Sequence, residues 1–249
     1  MIKIEHVETF GWESAIRGMR NPMNSWDKSD SYPLLLQLID EHDFEENKAA
    51  GLVPKAAVYH SDAPSEGCDF IVGEADLKLM KQLSKAGSDH GKFLRMINVT
   101  MDTTAPLYWW KEFDTYKVGT VANSCSTMHK IHAKEFTLDD FSHEHLTPRA
   151  IGLLEDVIDA LNIHREQFLE CTMSKYISPE DCEEAKKQYW WQMIQLLPSS
   201  YNQKRTVQLN YQVLKAMHHS RKEHKLDEWR TFCDEMHYLP YFEEICLNG

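Results

Sequence analysis

Residues 90–128 read HGKFLRMINVTMDTTAPLYWWKEFDTYKVGTVANSCSTM, and this stretch decides the fold. Apolar and polar side chains alternate over residues 97–101, with β-branched residues among them, which predicts a half-buried strand. Ala105 and Pro106 favour a helix start, because proline fixes φ and lacks a donor that the first turn would leave unpaired. We expect the aromatic-rich helix that follows to end near Lys117.

A run of small residues comes next, at residues 119–127. Small side chains let a backbone approach a ligand closely, and the hydroxyl and amide groups in this run can hydrogen-bond to one. The same composition suits a tight polar connection between two elements. The pattern therefore leaves a nucleotide or cofactor loop and a plain connection both open.

Composition and charge exclude several classes of protein. The 249 residues suffice for one sizeable domain or two small ones, and a hydrophobic content of 42% is ordinary. The formal charge of −12 argues against a nucleic-acid binder, since such proteins present a basic surface. No apolar run is long enough to span a bilayer, and the N-terminus lacks signal-peptide features. We therefore expect a cytoplasmic protein with no membrane partner.

The cysteines and histidines do not form recognised ligand patterns. The six cysteines lack paired short spacings, which favours reduced thiols over a zinc ribbon or a disulfide framework. Four histidines cluster without a cysteine or carboxylate at a ligand spacing, so we expect no metal site. These are His129, His132, His143 and His145.

The remaining elements follow from periodicity and cap signals. Arg17 and Arg20 lie toward the end of a short first helix, where a solvated helix end is one explanation of them. Residues 21–73 are proline-rich and irregular, with one helical pattern at 34–39. The other predicted elements are strands at 2–9 and 205–209, and helices at 74–86, from Thr147 and Ser178 onward, from Asn210, and at 226–246.

These residues and their order resemble the flavin-dependent thymidylate synthases. Ala105 and Pro106 match an Ala-Pro pair in that family, and residues 115–120 (TYKVGT), followed by Asn123 and Ser126, align with its signature Arg-His-Arg-x-x-Ser-x-Asn-x-x-Ser-x-Arg after one extra residue. The family methylates dUMP using methylenetetrahydrofolate, FAD and NADPH. The resemblance therefore implies those ligands here.

The signature departs from the family pattern at several positions. Thr115 and Tyr116 replace the first Arg and the His, Lys117 keeps only the charge of the second Arg, and Met128 replaces the last. Methionine has no equivalent of the planar donor fork that arginine offers a phosphate. A further flavin-contacting Asn is replaced by Ala216. The losses leave open a catalytically inactive nucleotide-binding or regulatory homologue.

The resemblance also implies the architecture. We expect an α+β fold with a small sheet covered by long helices. We expect it to form a single domain over residues 1–249, with a divergent or inserted segment at about 21–73. Because the family builds each active site from several subunits, we expect a homotetramer.

The family's cofactor site maps onto five positions of this chain, while no catalytic residue is assigned. His90 falls on a flavin-neighbouring His by register, although a lone loop His is also explained by solvation. Asn210 is equally explained as a helix N-cap. The resemblance implies that FAD is held by His90, Tyr116, Lys117, Asn123 and Asn210.

The substrate, a pyrimidine deoxynucleotide, is implied to contact Glu112, Ser126 and Arg221. Arg221 matches a dUMP-binding Arg, and a charge that favours the helix C-terminus is the alternative. Glu112 stands where the family has a Gln. Because ionised glutamate only accepts hydrogen bonds, a base edge rich in donors would be preferred, which leaves dCMP open as the substrate.

Overall fold

The structure is a computed structural model that describes residues 2–33, 70–173 and 178–248. Its helices and strands are, in chain order, β1 (Lys3–Phe10), α1 (Trp12–Arg20), β2 (Tyr32–Pro33), β3 (Phe70–Ile71), α2 (Glu74–Lys85), β4 (Asn98–Pro106), α3 (Leu107–Phe113), β5 (Val121–Ser124), α4 (Thr127–Lys130), α5 (Pro148–Met173), α6 (Pro179–Leu196), β6 (Asn202–Asn210), α7 (Tyr211–Arg221) and α8 (Asp227–Glu235).

The strands form one small sheet and one short pair. The sheet has four strands in the order β1-β4-β6-β5. β2 and β3 pair antiparallel, with Tyr32 opposite Ile71. The chain contains the long helices α5 and α6 as well as this small sheet. The predicted α+β class is therefore confirmed.

The chain divides into two compact units. The first contains Met1–Lys3, Thr103–Thr115 and Asn123–Arg205, and the second contains Ile4–Asp102, Tyr116–Ala122 and Thr206–Gly249. The single domain over residues 1–249 stays a prediction. Most of the proposed 21–73 insertion, including the helical pattern at 34–39, lies outside the described residues.

The first unit is built on the packing of α5 against α6. Apolar residues recur along α5 at helical spacing and bury against Met193 of α6. Ser178 caps α6, as predicted, because its hydroxyl accepts a hydrogen bond from the backbone N–H of Asp181 at 3.1 Å. The buried cluster comprises Ile131, Phe136, Phe141, Leu154, Ile158, Leu161 and Met193.

The second unit gathers aromatic side chains at the start of α7. Tyr211 packs edge-on against Trp12 and Phe242, with ring centroids 5.5 and 5.3 Å apart. Its buried hydroxyl donates to the carbonyl of Pro240 at 2.6 Å. Because a buried tyrosine hydroxyl needs a partner, this bond ties the C-terminal segment to the first turn of α7.

Three predicted boundaries are wrong. Val99, Met101, Thr103 and Ala105 are all buried in alternation, so β4 continues to Pro106. Pro106 has φ −67° and ψ 151°, an extended geometry that proline also allows, and it precedes α3 instead of opening it. α3 therefore ends at Phe113, not near Lys117.

The loop predicted at residues 119–127 contains β5 and ends at the first residue of α4, and the sequence revealed neither element. β5 is four residues long and wholly exposed, so it carries no alternation of polarity. The single-turn helix α4 follows it. Both are too short to leave a periodic pattern.

The long final helix predicted at residues 226–246 is interrupted. α8 ends at Glu235, and a 3₁₀ turn at Met236–Tyr238 and a π-helical turn at Glu243–Leu247 follow. Pro240 lies between these two turns, and Tyr241 has φ +55°. Proline lacks a backbone donor and restricts the residue before it, which explains the break.

A buried ion pair joins α1 to α2 in the second unit. Nε of Arg20 lies 2.6 Å from Oδ1 of Asp76, and the two side chains are 5% and 0% exposed. A solvated helix end, one of the explanations that the sequence left open for Arg20, is therefore wrong. Ser29 and Ser31 each donate a hydroxyl to Oδ2 of Asp76 at 2.7 Å. Every buried charge in this group is matched by hydrogen bonds.

Asp30 fixes the other side of the same connection. Its carboxylate accepts from the backbone N–H groups of Ala75 and Asp76 at 2.8 and 3.1 Å, which caps the start of α2. A Cβ at Gly73 would lie 2.2 Å from the carboxyl carbon of Asp30, so only glycine fits there. Residues 29–31 are thus held against α2.

We expect Asp76→Asn to lower the free energy of unfolding by about 3 kcal/mol at neutral pH, because it leaves the Arg20 charge buried without its partner. Burial raises the pKa of Asp76, but hydrogen bonds from Ser31, Ser29 and Arg20 outweigh it and hold the pKa below its usual value. The carboxylate therefore stabilises the fold above its unfolded-state pKa of about 4 and loses this effect as pH falls through the lower folded value.

Urea unfolding of the wild type and of Asp76→Asn, from pH 7 down to acid pH, measures the difference in their free energies of unfolding. This difference should shrink toward acid pH. Asp159→Asn, at an exposed position of α5, is the matched control and should shift stability by less than about 0.5 kcal/mol. A difference that is the same at pH 7 and at acid pH would contradict the assignment.

Candidate functional site

Two of the predicted site residues, Asn210 and Arg221, lie at opposite ends of helix α7. Asn210 precedes the helix, and its side-chain oxygen accepts from the backbone N–H of Val213 at 3.1 Å. Asn210 is therefore the N-cap that the sequence allowed. In the described part of the chain, its amide nitrogen Nδ2 makes no hydrogen bond, so that donor is available to a ligand.

The segment after Tyr116 passes directly over the start of α7. Gly119 has φ +81°, and a Cβ there would lie 2.9 Å from Nδ2 of Asn210 and 3.1 Å from Val213. The positive φ and the close approach both require glycine. The hydroxyl of Thr120 donates to the carbonyl of Tyr116, which closes the turn.

The other end of α7 holds Arg221 against two aromatic rings. Its Nε donates to the hydroxyl of Tyr116 at 3.1 Å. Its guanidinium carbon lies 4.9 Å from the ring centre of Trp229, which is fully buried, and 5.7 Å from that of Tyr116. The charge therefore rests on ring faces instead of extending into water, and its planar fork is held in one orientation.

His90 and Lys117 also belong to this unit. His90 is exposed and precedes the 3₁₀ turn Gly91–Arg95, which packs against α7. Lys117 is exposed in the segment between Tyr116 and Gly119. The structure thus brings Tyr116 into contact with Arg221 and Gly119 next to Asn210, while His90 and Lys117 lie on neighbouring segments.

The first unit carries Glu112, Asn123 and Ser126. Glu112 is half-buried in α3, and its backbone carbonyl accepts from the hydroxyl of Thr115 at 2.7 Å. Asn123 is exposed in β5. Ser126 caps α4, since its hydroxyl oxygen accepts from the backbone N–H of His129 at 3.0 Å. A helix cap is thus one established role of Ser126.

An arginine that the sequence did not single out organises the polar surface of this unit. Arg205 pairs with Asp114 at 2.8 Å, donates to Oε1 of Gln203 at 2.9 Å, and lies 4.3 Å from the ring centre of Trp110. Gln203 in turn donates to the carbonyl of Cys125 at 2.9 Å. Arg205 was visible only as a member of a strand, and nothing in its spacing identified Asp114 as its partner.

The clustered histidines have separate surroundings. His132 packs on Phe168 with ring centres 4.4 Å apart, and burial together with Lys130 and Arg165 lowers its pKa. Nδ1 of His143 contacts the carbonyl of Phe141 at 2.8 Å. Across the described ranges, no group of three or more His, Cys, Asp or Glu side chains is arranged to hold a metal ion.

The described cysteines are free thiols. Cys125 is exposed, whereas burial raises the pKa of Cys233 and of Cys246 to about 12. Those two thiols therefore stay protonated and unreactive at neutral pH. No helix in the described ranges combines the length and the apolar character that crossing a bilayer requires.

An apolar cavity of about 280 Å³ lies apart from the predicted site. It is formed by strands β1 and β4, by α8 and by the chain after α8, and none of the predicted site residues lines it. Its lining includes Ile4, Val7, Met101, Phe232, Met236 and Leu239.

Comparison with solved structures identifies the fold as that of the flavin-dependent thymidylate synthases. Thymidylate synthase X from Helicobacter pylori, crystallised with FAD and dUMP, matches with a TM-score of 0.57 and 12% sequence identity, over 100% of this chain and 98% of that chain. A second structure, of the flavin-dependent thymidylate synthase from Helicobacter pylori complexed with FAD and dUMP, gives 0.56 and 12%, over 99% and 98%.

Sequence comparison gives no such match. No protein-family model fits the chain, and no curated protein matches it significantly. The likeness is therefore one of fold.

We expect Gly119→Ala to lower the free energy of unfolding by about 1–2 kcal/mol, because alanine is strained at this φ and its Cβ would displace Asn210. Gly152→Ala is the matched control, since a Cβ there meets nothing within 4 Å and lies inside α5. That change should be neutral or stabilising by up to about 1 kcal/mol. Urea unfolding measures the stability of both variants. An unchanged free energy of unfolding in Gly119→Ala would show that the segment at Gly119 does not pack closely against the start of α7.

Proposed function

We propose that this protein binds FAD and a pyrimidine deoxynucleotide, and that it transfers a one-carbon group from methylenetetrahydrofolate to dUMP to form dTMP. The fold supports the proposal, because two crystal structures of an enzyme with this fold, the flavin-dependent thymidylate synthase from Helicobacter pylori, contain FAD and dUMP. The observation that carries it is Arg221, a half-buried guanidinium held by Tyr116 and Trp229.

Arg221 suits the phosphate of a nucleotide. A guanidinium has five N–H donors in a rigid fork, and one of these, at Nε, goes to Tyr116. Contact with Trp229 keeps the fork from rotating, so less conformational entropy is lost when an anion binds. Charge-assisted hydrogen bonds to a phosphate are among the stronger polar contacts. By resemblance, Glu112 and Ser126 are also proposed to contact the nucleotide.

The residues around α7 are compatible with FAD. Nδ2 of Asn210 is a donor for a flavin carbonyl, Lys117 supplies a positive charge for the dinucleotide phosphates, and His90 and Tyr116 supply rings for packing. By resemblance, Asn123 is also proposed to contact FAD. When bound, FAD would supply the hydride, with NADPH as the reductant, while the protein's own groups bind and orient the substrates.

Assembly into a homotetramer is part of the proposal. α5 and α6 expose large apolar side chains in the first unit: Leu153 is 60% exposed, Ile163 54% and Trp191 42%. Apolar surface of this kind on a long helix pair is typical of a subunit interface. A single domain over residues 1–249 and a cytoplasmic location are likewise proposed.

A second candidate is a nucleotide-binding homologue without catalysis. It is favoured by Tyr116, which stands where the family has a His and whose hydroxyl accepts from Arg221. The oxygens of Asn210 and Ser126 are also engaged in helix caps. These groups serve the fold of the chain, so their presence does not require a flavin.

The absorption spectrum of the purified protein, before and after FAD is added and the excess is removed, separates the two candidates. We expect the protein to retain FAD, with an absorption spectrum that resembles that of free FAD. The stoichiometry should be about one flavin per subunit. A folded protein that retains no flavin would refute the first candidate and leave the second.

We expect Arg221→Ala to weaken dUMP binding by about 2 kcal/mol, or roughly thirtyfold, because a charge-assisted contact to the phosphate is lost. Calorimetric titration measures the change. Arg149→Ala, at an exposed position of α5, is the matched control and should bind dUMP as the wild type does. Unchanged affinity in Arg221→Ala would remove Arg221 from the phosphate site.

The same titration with dCMP tests the pyrimidine. If Glu112 accepts from the base, the exocyclic amine of cytosine favours dCMP over dUMP. Binding of dCMP no tighter than that of dUMP would exclude this variant of the proposal.

A further inference from the structure

Strand β1 is strained where it borders the apolar cavity. His6 has φ +52°, a left-handed conformation that residues other than glycine rarely adopt, and it lies inside the strand. In a regular strand, residues three apart point to opposite faces. Ile4 and Val7 nevertheless both line the cavity, as does Thr9. The conformation at His6 therefore resets the alternation, as a β-bulge does, and brings side chains from both halves of the strand to one face.

The opposite wall of the cavity ends at a second residue of this kind. Pro240 is part of the lining and directly precedes Tyr241, which has φ +55°. Among the described residues, Asn24 is the one other non-glycine residue with a positive φ. Strained backbone persists only where the surrounding structure holds it, and it concentrates around ligand sites. Strain on both walls of one cavity therefore argues against a chance gap in the packing.

The interior of the cavity is apolar and large enough for an aromatic ring. Met101, Phe232 and Met236 are at most 4% exposed, and they line it together with Leu239. A cavity of about 150 Å³ with apolar walls can bind benzene. The volume of about 280 Å³ here therefore leaves room for a ring and a short side chain. Methionine sulfur and an aromatic edge both pack favourably against such a ring.

The mouth of the cavity favours a positive charge. Glu235 and Tyr238 belong to the lining, and both side chains are exposed. A carboxylate attracts an ammonium group, and the face of a phenol ring attracts it as well. In the described part of the chain, no lysine or arginine lines the cavity. The formal charge of −12 on the whole chain also disfavours an anionic ligand.

We infer that this cavity binds a small aromatic amine, a molecule with a single ring and an ammonium group on a short chain. The ring enters the apolar interior, and the ammonium group stays at the mouth beside Glu235 and Tyr238. None of the residues proposed to contact FAD or the nucleotide lines the cavity. The inference therefore goes beyond the proposed function and requires neither FAD nor dUMP.

The test uses the full-length protein titrated calorimetrically with phenethylamine and, separately, with phenylacetate, which carries a negative charge on a short chain. We expect one phenethylamine to bind per chain, about tenfold more tightly than phenylacetate. Glu235→Gln should weaken phenethylamine binding about fivefold, because the ammonium group loses its charged partner. Asp234→Asn is the matched control, because it removes the same charge from the neighbouring exposed position, which does not line the cavity. It should leave binding unchanged.

A variant that fills the cavity locates the binding. Ile4 is half-buried in the lining, so Ile4→Trp places a larger side chain where the ring would lie. This variant should lose phenethylamine binding while still unfolding cooperatively on heating. If it does not fold, Val7→Phe, at a second half-buried lining position, takes its place.

Four results would overturn the inference. The first is no binding of phenethylamine, and the second is binding of phenylacetate that is equally tight or tighter. The third is unchanged phenethylamine binding in the folded, filled variant, which would place the ligand elsewhere. The fourth is an effect of Glu235→Gln no larger than that of Asp234→Asn, which would indicate diffuse charge attraction.

Discussion

The second unit depends on the requirement that the buried charges of Arg20 and Asp76 be satisfied. Neither charge can be left without its partner, so α1, α2 and residues 29–31 must meet in one arrangement. α1 and α2 both pack against the 3₁₀ turn Gly91–Arg95, and that turn packs against α7. The position of the helix that carries Asn210 and Arg221 therefore follows from an ion pair that contains neither residue.

The polar residues of the candidate site serve the fold and the ligands together. Asn210 gives its oxygen to a helix cap and keeps its amide donors for other partners. Tyr116 accepts from Arg221, and so orients the group that is proposed to bind phosphate. Residue type alone does not separate these two roles, because a cap and a ligand contact use the same atoms of asparagine and serine.

Periodicity and cap signals were sufficient for α2, α5, α6 and α7, and the resemblance supplied the fold. Sequence patterns failed where a tertiary contact decides the outcome. Arg20 was read as solvated because its partner Asp76 lies 56 positions away, and the end of β4 was placed too early because burial on one face continues past Met101. β5 was missed because its pairing, not its composition, makes it a strand. The contact of Arg221 with Trp229 likewise joins residues from two helices whose relative packing no spacing encodes.

The segment from Tyr116 to Gly119 touches both ends of α7, with Gly119 at Asn210 and Tyr116 at Arg221. A segment of four residues thus contacts both ends of a helix of eleven residues. Lifting this segment would uncover the N-cap and release the guanidinium in one step, so the two ends of α7 belong to a single cooperative unit of local unfolding. An anion bound at Arg221 would then protect backbone amides at the far end of the helix from hydrogen exchange, although it does not touch them.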